Sequence, residues 1–166
     1  MNREIKFRGK GIEKYDKDKW YYGSYFIYNV INYFFLDDGS KTEEINEKIR
    51  NNIKHKIIFE VQGDLNMENH IKLADVNPET VGQFTGLYDK NGKEIYEGDI
   101  IHINDEFLNE FNYLIEWNEE YLRYYLYSVD KEKLNKLGGI LEAHLNSLEV
   151  EIISNIYDNP ELLGGE

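Results

Sequence analysis

Between Val76 and Ile101 the chain reads V-N-P-E-T-V-G-Q-F-T-G-L-Y-D-K-N-G-K-E-I-Y-E-G-D-I-I, and this punctuation constrains the fold more than any other segment. Asn77-Pro78-Glu79-Thr80 predicts a helix start. The Asn77 side chain suits the cap, and proline at the first helical position lacks an N–H that the first turn leaves unused. The helix has room for only a turn or so before Gly82 and Gly86, which bracket Gln83-Phe84-Thr85 in a loop of low bulk. Asp89-Lys90-Asn91-Gly92 predicts a tight hairpin, because Asn-Gly supplies the positive φ angles that such reversals use. A strand over Lys93 to Ile103 follows, with Gly98 as a bulge or a point of close approach.

Patterning elsewhere predicts the same kind of architecture. Glu4 to Arg8 alternates charged and apolar residues, so Ile5 and Phe7 share one face of a first strand. After a charged turn at Lys14 to Lys19, Trp20–Tyr28 and Val30–Leu36 predict a hairpin reversing near Asn29. Ser40-Lys41-Thr42-Glu43 has the form of a capping box, and Ile45, Ile49 and Ile53 follow at helical spacing, giving a short helix over Lys41–Asn52. Lys56 to Val61 predicts a strand, whereas Gly63 to Asp75 is polar and carries no pattern. Asn112 to Trp117 and Leu122 to Val129 form an antiparallel pair around Asn118-Glu119-Glu120. Leu134, Leu137, Leu141, Leu145 and Leu148 make a helix stripe broken at Gly138-Gly139. Glu149 to Ile156 is a last strand, and Asn159-Pro160-Glu161 opens a short helical turn. The expected class is mainly β, a β-rich α+β fold of many short strands with two or three small helices. It forms one domain over 1–166, with subdomains at 1–75 (hairpin plus helix insert) and 76–166 (barrel-like).

Composition narrows the function classes. With no cysteine, disulfides, thiolate catalysis and cysteine zinc sites are excluded. No apolar run exceeds four residues, as at Tyr33–Leu36, and the N-terminus is interrupted by Arg3, Glu4, Lys6 and Arg8, so a membrane span or signal peptide is not expected. A cytoplasmic protein is. Net charge is −13, and it is uneven: residues 104–166 carry 14 acidic and 4 basic side chains. Such a field repels phosphate backbones and favours either basic partners or plain solvation, so nucleic acid is not the expected target. The 14 tyrosines suit a half-wet pleated surface, where the ring packs and the hydroxyl reaches water.

The Val76–Ile101 block resembles the signature of the YopX family, small proteins encoded by bacteriophages and prophages. Arg3-Glu4-Ile5-Lys6-Phe7-Arg8-Gly9, Trp20-Tyr21-Tyr22-Gly23 and Ile156-Tyr157-Asp158-Asn159-Pro160-Glu161-Leu162-Leu163 resemble the same family's start, second strand and tail, in the same order. The resemblance implies a β-rich fold containing a small SH3-like barrel, in a bacterial host cell, and carries no agreed activity with it. Asp38–Met67 and Asp130–Ser147 depart from the pattern.

Asp89-Lys90-Asn91-Gly92 lacks the further oxygen ligands of a calcium loop. His55, His70, His102 and His144 stand apart with no ligand-pair spacing and read as surface histidines, so no metal and no cofactor is expected. Glu97 and Asp99 share one strand face if Gly98 does not bulge. The first 20 residues hold seven Lys or Arg against four Asp or Glu. There Arg3 and Arg8, with Trp20 and Tyr22, are the candidate ligand site: guanidinium groups to clamp a phosphate and flat rings to stack a base. The same residues also fit a charged outer face over an aromatic inner one. Gln83 and Thr85 are a second candidate pair, suited equally to contacting a partner and to buttressing a barrel. The leading expectation is a non-enzymatic accessory protein that binds, with a basic host protein as partner and self-association through strand edges. The alternatives are sequestration of a nucleotide-like small molecule by the N-terminal segment, and a metal-assisted hydrolase using scattered carboxylates and histidines.

Overall fold

The computed structural model describes residues 4–29, 47, 52–63, 68–105, 109–129 and 149–163. They divide into two compact units, Lys6–Val81 and Gly82–Glu166 with the first five residues. Both are mainly β, with antiparallel strands and short 3-10 turns.

In the first unit β1 (Phe7–Lys10), β2 (Trp20–Asn29), β3 (Ile53–Val61) and β4 (His70–Asp75) neighbour one another in the order β4-β3-β2-β1. The long strand β2 changes partner midway: Trp20–Gly23 pairs with β1 and Ser24–Asn29 with β3. Alternation then sends Tyr21, Tyr25, Ile57, Phe59 and Ala74 to one face, where Tyr21, Ile57 and Val76 are buried as a small core. Each such side chain contributes about 1.5–3 kcal/mol of burial. Asn77 caps the turn Pro78–Thr80 as expected, its Oδ1 accepting the Glu79 N–H at 3.1 Å. Thr80 Oγ1 accepts the Lys10 N–H at 2.9 Å, tying that turn to β1.

Two expectations change here. The first strand begins at Phe7, and Ile5 is exposed rather than sharing its inner face. The stretch that carried no pattern contains β4, whose apolar residues Ile71 and Leu73 are 73% and 54% exposed while Lys72 and Ala74 alternate to the inner side. Periodicity missed it because the apolar positions mark the wrong face. Ser24–Asn29 pairs with β3, and the expected hairpin strand Val30–Leu36 lies outside the described residues. The capped helix over Lys41–Asn52 also lies almost wholly outside them.

In the second unit β5 (Gly82–Tyr88) and β6 (Glu94–Tyr96) form a hairpin. β7 (Asp99–Asp105), β8 (Asn109–Asn118), β9 (Arg123–Ser128) and β10 (Glu149–Asn155) make a sheet of order β10-β7-β8-β9. The core is Ile95, Ile101, Ile103, Tyr113, Ile115, Tyr124, Leu126 and Val150. Among the described residues no pairing joins β10 to β9, so the mainly β class holds while the expected barrel closure is not seen in this sheet. Gln83-Phe84-Thr85 belongs to a strand, not a loop.

The β5–β6 hairpin occurs where expected, by a different turn. The Gly92 N–H donates to the Asp89 carbonyl at 2.9 Å and Gly92 alone of the Asn-Gly pair has positive φ, at 77°. This is the pattern of a three-residue loop ending in a left-handed glycine. Gly98, at φ 83°, is a corner between two strands rather than a bulge in one. The β8–β9 pair, β10 and the final turn Pro160–Leu163 stand where the sequence put them. The leucine stripe over 134–148 is outside the described residues. No helix among the described residues is long and apolar enough to cross a membrane.

Candidate functional site

The β1–β2 register sets Arg8 opposite Tyr22 and Lys10 opposite Trp20, all on one sheet face. The Arg8 guanidinium carbon lies 4.8 Å from the centre of the Trp20 ring, and the Lys10 ammonium nitrogen lies 5.4 Å from it. Arg8 is only 4% exposed, while Tyr22 is open to solvent. The three predicted residues Arg8, Trp20 and Tyr22 are thus together, but the indole is engaged by the chain's own cations. Arg8 is not on a charged outer rim. Arg3 lies outside the described residues.

Gln83 and Thr85 belong to β5 in the second unit. Thr85 is buried, and its hydroxyl donates to the Ile95 carbonyl at 2.8 Å while accepting the Leu87 N–H at 3.3 Å. That oxygen serves the hairpin. Gln83 is half-buried, and its carbonyl accepts the Glu97 N–H at 3.0 Å.

His55 is half-buried rather than a surface residue: Nδ1 pairs with the Tyr25 hydroxyl and the two rings stack. His102 meets the Asn112 side chain at 2.9 Å, and His144 lies outside the described residues. Among the described residues no cluster of three or more metal-ligating side chains occurs. Glu97 and Asp99 do not share a strand face, because Gly98 turns the chain between them; Asp99 is 1% exposed and accepts the Tyr96 N–H at 2.8 Å.

Glu97 instead lies against β8, its Oε1 accepting the Trp117 N–H at 3.4 Å and its charge reaching Glu116. Burial raises the Glu116 carboxyl pKa, and the negative charge of Glu97 raises it further. Glu116 stands directly opposite Tyr125 on β9, and alternation places Tyr127 on the same face. Ring centres are 5.4 Å apart from Tyr121 to Tyr125 and 6.3 Å from Tyr125 to Tyr127. Asn118 donates to the Tyr127 hydroxyl at 3.0 Å, fixing that end. This face of β8–β9 is therefore a row of three tyrosines beside two mutually repelling carboxylates, with Arg123 on the same face, its Nε donating to the Tyr121 carbonyl at 3.3 Å. The acidity of this part was legible in sequence; the tyrosine row required the β8–β9 register.

A second feature that the sequence reading missed is a cavity of about 350 Å³ in the first unit, lined among others by Lys19, Tyr21, Phe59 and Lys72. Lys19 and Tyr21 alternate with Trp20 and Tyr22, so they face the other side of the sheet from the predicted site. Only β4, absent from the expected elements, completes it.

Comparison with known proteins settles the family. A family model described as YopX protein matches residues 6–164. The chain belongs to the YopX family. No curated protein matches it. This YopX-family chain is also similar to the crystal structure of protein EF1440 from Enterococcus faecalis, at 20% identity over 98% of this chain and 99% of that one, with a TM-score of 0.44.

Proposed function

We propose that this YopX-family protein is a non-enzymatic accessory protein of phages and prophages that acts in the bacterial cytoplasm by binding a basic host protein. The observation that carries this reading is the row Tyr121, Tyr125 and Tyr127 beside Glu116 and Glu97. An arginine or lysine of a partner gains from both parts at once. Each ring face is worth about 0.5–1 kcal/mol to an exposed cation. The arriving positive charge also relieves the repulsion from Glu97 that adds to burial in raising the Glu116 pKa. Residues 104–166, at 14 acidic against 4 basic, supply a field that draws basic surfaces toward this side of the sequence.

The test uses an arginine-rich peptide as probe and the full-length protein. Glu116→Gln and Tyr125→Ala are expected to weaken binding several-fold each, while Glu79→Gln, an exposed acid in the first unit, has little effect. NMR titration of the Glu116 carboxyl is expected to show its pKa falling on peptide addition. Equal losses in Glu116→Gln and Glu79→Gln, with no movement of that pKa, would mean diffuse attraction and would refute the site. A second reading, uptake of a small anionic ligand, is favoured by the cavity of the first unit.

A further inference from the structure

The cavity lies on the inner face of β2, β3 and β4, and its 350 Å³ falls in the range of about 300–1,000 Å³ typical of small-ligand pockets. Phe59 and Tyr21 meet there, with ring centres 5.0 Å apart and a 44° tilt. Val61 and Ala74 extend the apolar wall. The polar lining is mixed and comes from separate elements. Lys72 stands on β4 and Lys19 just before β2, its ammonium nitrogen 5.2 Å from the Tyr21 ring centre. Glu13 and Asp16 come from the β1–β2 loop, which is pinned by the Gly11 N–H on the Lys19 carbonyl at 2.9 Å and the Ile12 N–H on the Asp75 carbonyl at 3.1 Å. Asp16 accepts the Tyr21 hydroxyl, and burial with that acceptor raises the Tyr21 pKa, so the phenol stays neutral at the wall.

We infer that this cavity binds a small aromatic anion, with its ring against the Phe59 wall and its carboxylate or phosphate on Lys19 and Lys72. The lining selects that class. Of the lining carboxylates, Asp16 is taken by the Tyr21 hydroxyl and Asp75 by the Lys56 ammonium at 2.7 Å, which sets Glu13 against the two ammonium groups of Lys19 and Lys72, a balance that suits an anion. A ringless anion leaves the aromatic wall unused, and a neutral ring leaves both lysines unused. Glu13 adds an acceptor on the rim for an N–H or O–H of the ligand, as an amino-bearing heterocycle or a phenol carries. The site is distinct from the Arg8–Trp20 stack and lies in the other unit from the tyrosine row, so it stands or falls separately from the proposed partner surface.

Calorimetric titration of the full-length protein with adenosine monophosphate, with 4-hydroxybenzoate and with inorganic phosphate tests it. Saturable binding of at least one of the two aromatic anions is expected, weakened about tenfold or more in Lys72→Gln and in Lys19→Gln and abolished in Val61→Trp, which fills the cavity. The preferred probe tells whether the anionic group is a phosphate or a carboxylate. Lys72 and Lys19 are exposed, so both variants are expected to melt as the parent protein does, which separates a lost contact from a lost fold. Failure of both aromatic probes to saturate at millimolar concentration overturns the inference. So does phosphate binding as tightly as either ring-bearing probe, or full binding in both lysine variants.

Discussion

Asp89 holds three backbone N–H groups with one carboxylate: Asn91 at 2.8 Å and Lys93 at 2.9 Å on Oδ1, and Ile152 at 3.3 Å on Oδ2. Burial alone pushes its carboxyl pKa up, but the bonds from Lys93, Asn91 and Ile152 outweigh it and hold the group below its ordinary 3.8. A carboxylate with a depressed folded pKa contributes stability that is complete above the unfolded value of about 4 and is lost as the pH falls through the folded one. Asp89→Asn is therefore expected to destabilise the protein by about 1–3 kcal/mol at neutral pH. In urea unfolding, the gap between parent and variant should shrink between pH 7 and pH 3; a gap of constant size would show that the charge contributes nothing. Arg8 makes the contrasting point about what residues disclose. Its company, Trp20 and Tyr22, was legible in the sequence, yet its burial was not, because an arginine in a charged N-terminal segment reads as exposed until the strand register is known.

The elements were legible in proportion to how strongly their ends are marked. The Asn77 cap, the reversal ending at Gly92 and the β8–β9 turn all rest on residues with few alternative uses, and all three fall where expected, the reversal by a different turn. β4 was lost because Ile71 and Leu73 face outward, so its apolar alternation carries no burial signal. Gly98 was marked as a bulge or a point of close approach, and the close approach holds while the bulge gives way to a corner. It turns the chain from β6 to β7, its N–H donating to the Ile115 carbonyl at 2.8 Å and its carbonyl accepting the Ile156 N–H at 2.9 Å. With φ at 83° and Tyr157 Cε2 only 3.1 Å from where a Cβ would sit, Gly98→Ala is strained in its backbone and crowded at its side chain. A loss of about 1–2 kcal/mol follows from the left-handed conformation alone. Equilibrium unfolding of Gly98→Ala alongside the exposed, equally left-handed Gly92→Ala separates the two causes. The corner variant should cost more, since nothing lies within 4 Å of a Cβ at Gly92.

On the scale of the whole chain, the charge distribution makes the two proposed sites respond unequally to salt. The acidic balance of residues 104–166 acts over a distance comparable with the Debye length, about 10 Å at 0.1 M, so attraction of a basic partner is screened as ions are added. The first-unit cavity works against that background. Its ligand is an anion approaching a protein of net charge −13, so added salt weakens a repulsion at long range while screening the contacts to Lys19 and Lys72 at short range. The contribution from the ring, buried against Phe59, is insensitive to ionic strength. Raising the salt from low to physiological concentration is therefore expected to weaken the arginine-rich peptide by an order of magnitude or more and to leave the aromatic anion within a few-fold of its starting affinity. Parallel titrations across one salt series measure both on the same preparation. If the two affinities fall together, the anion is not held through its ring, and if neither falls, the acidic field plays no part in capturing the partner.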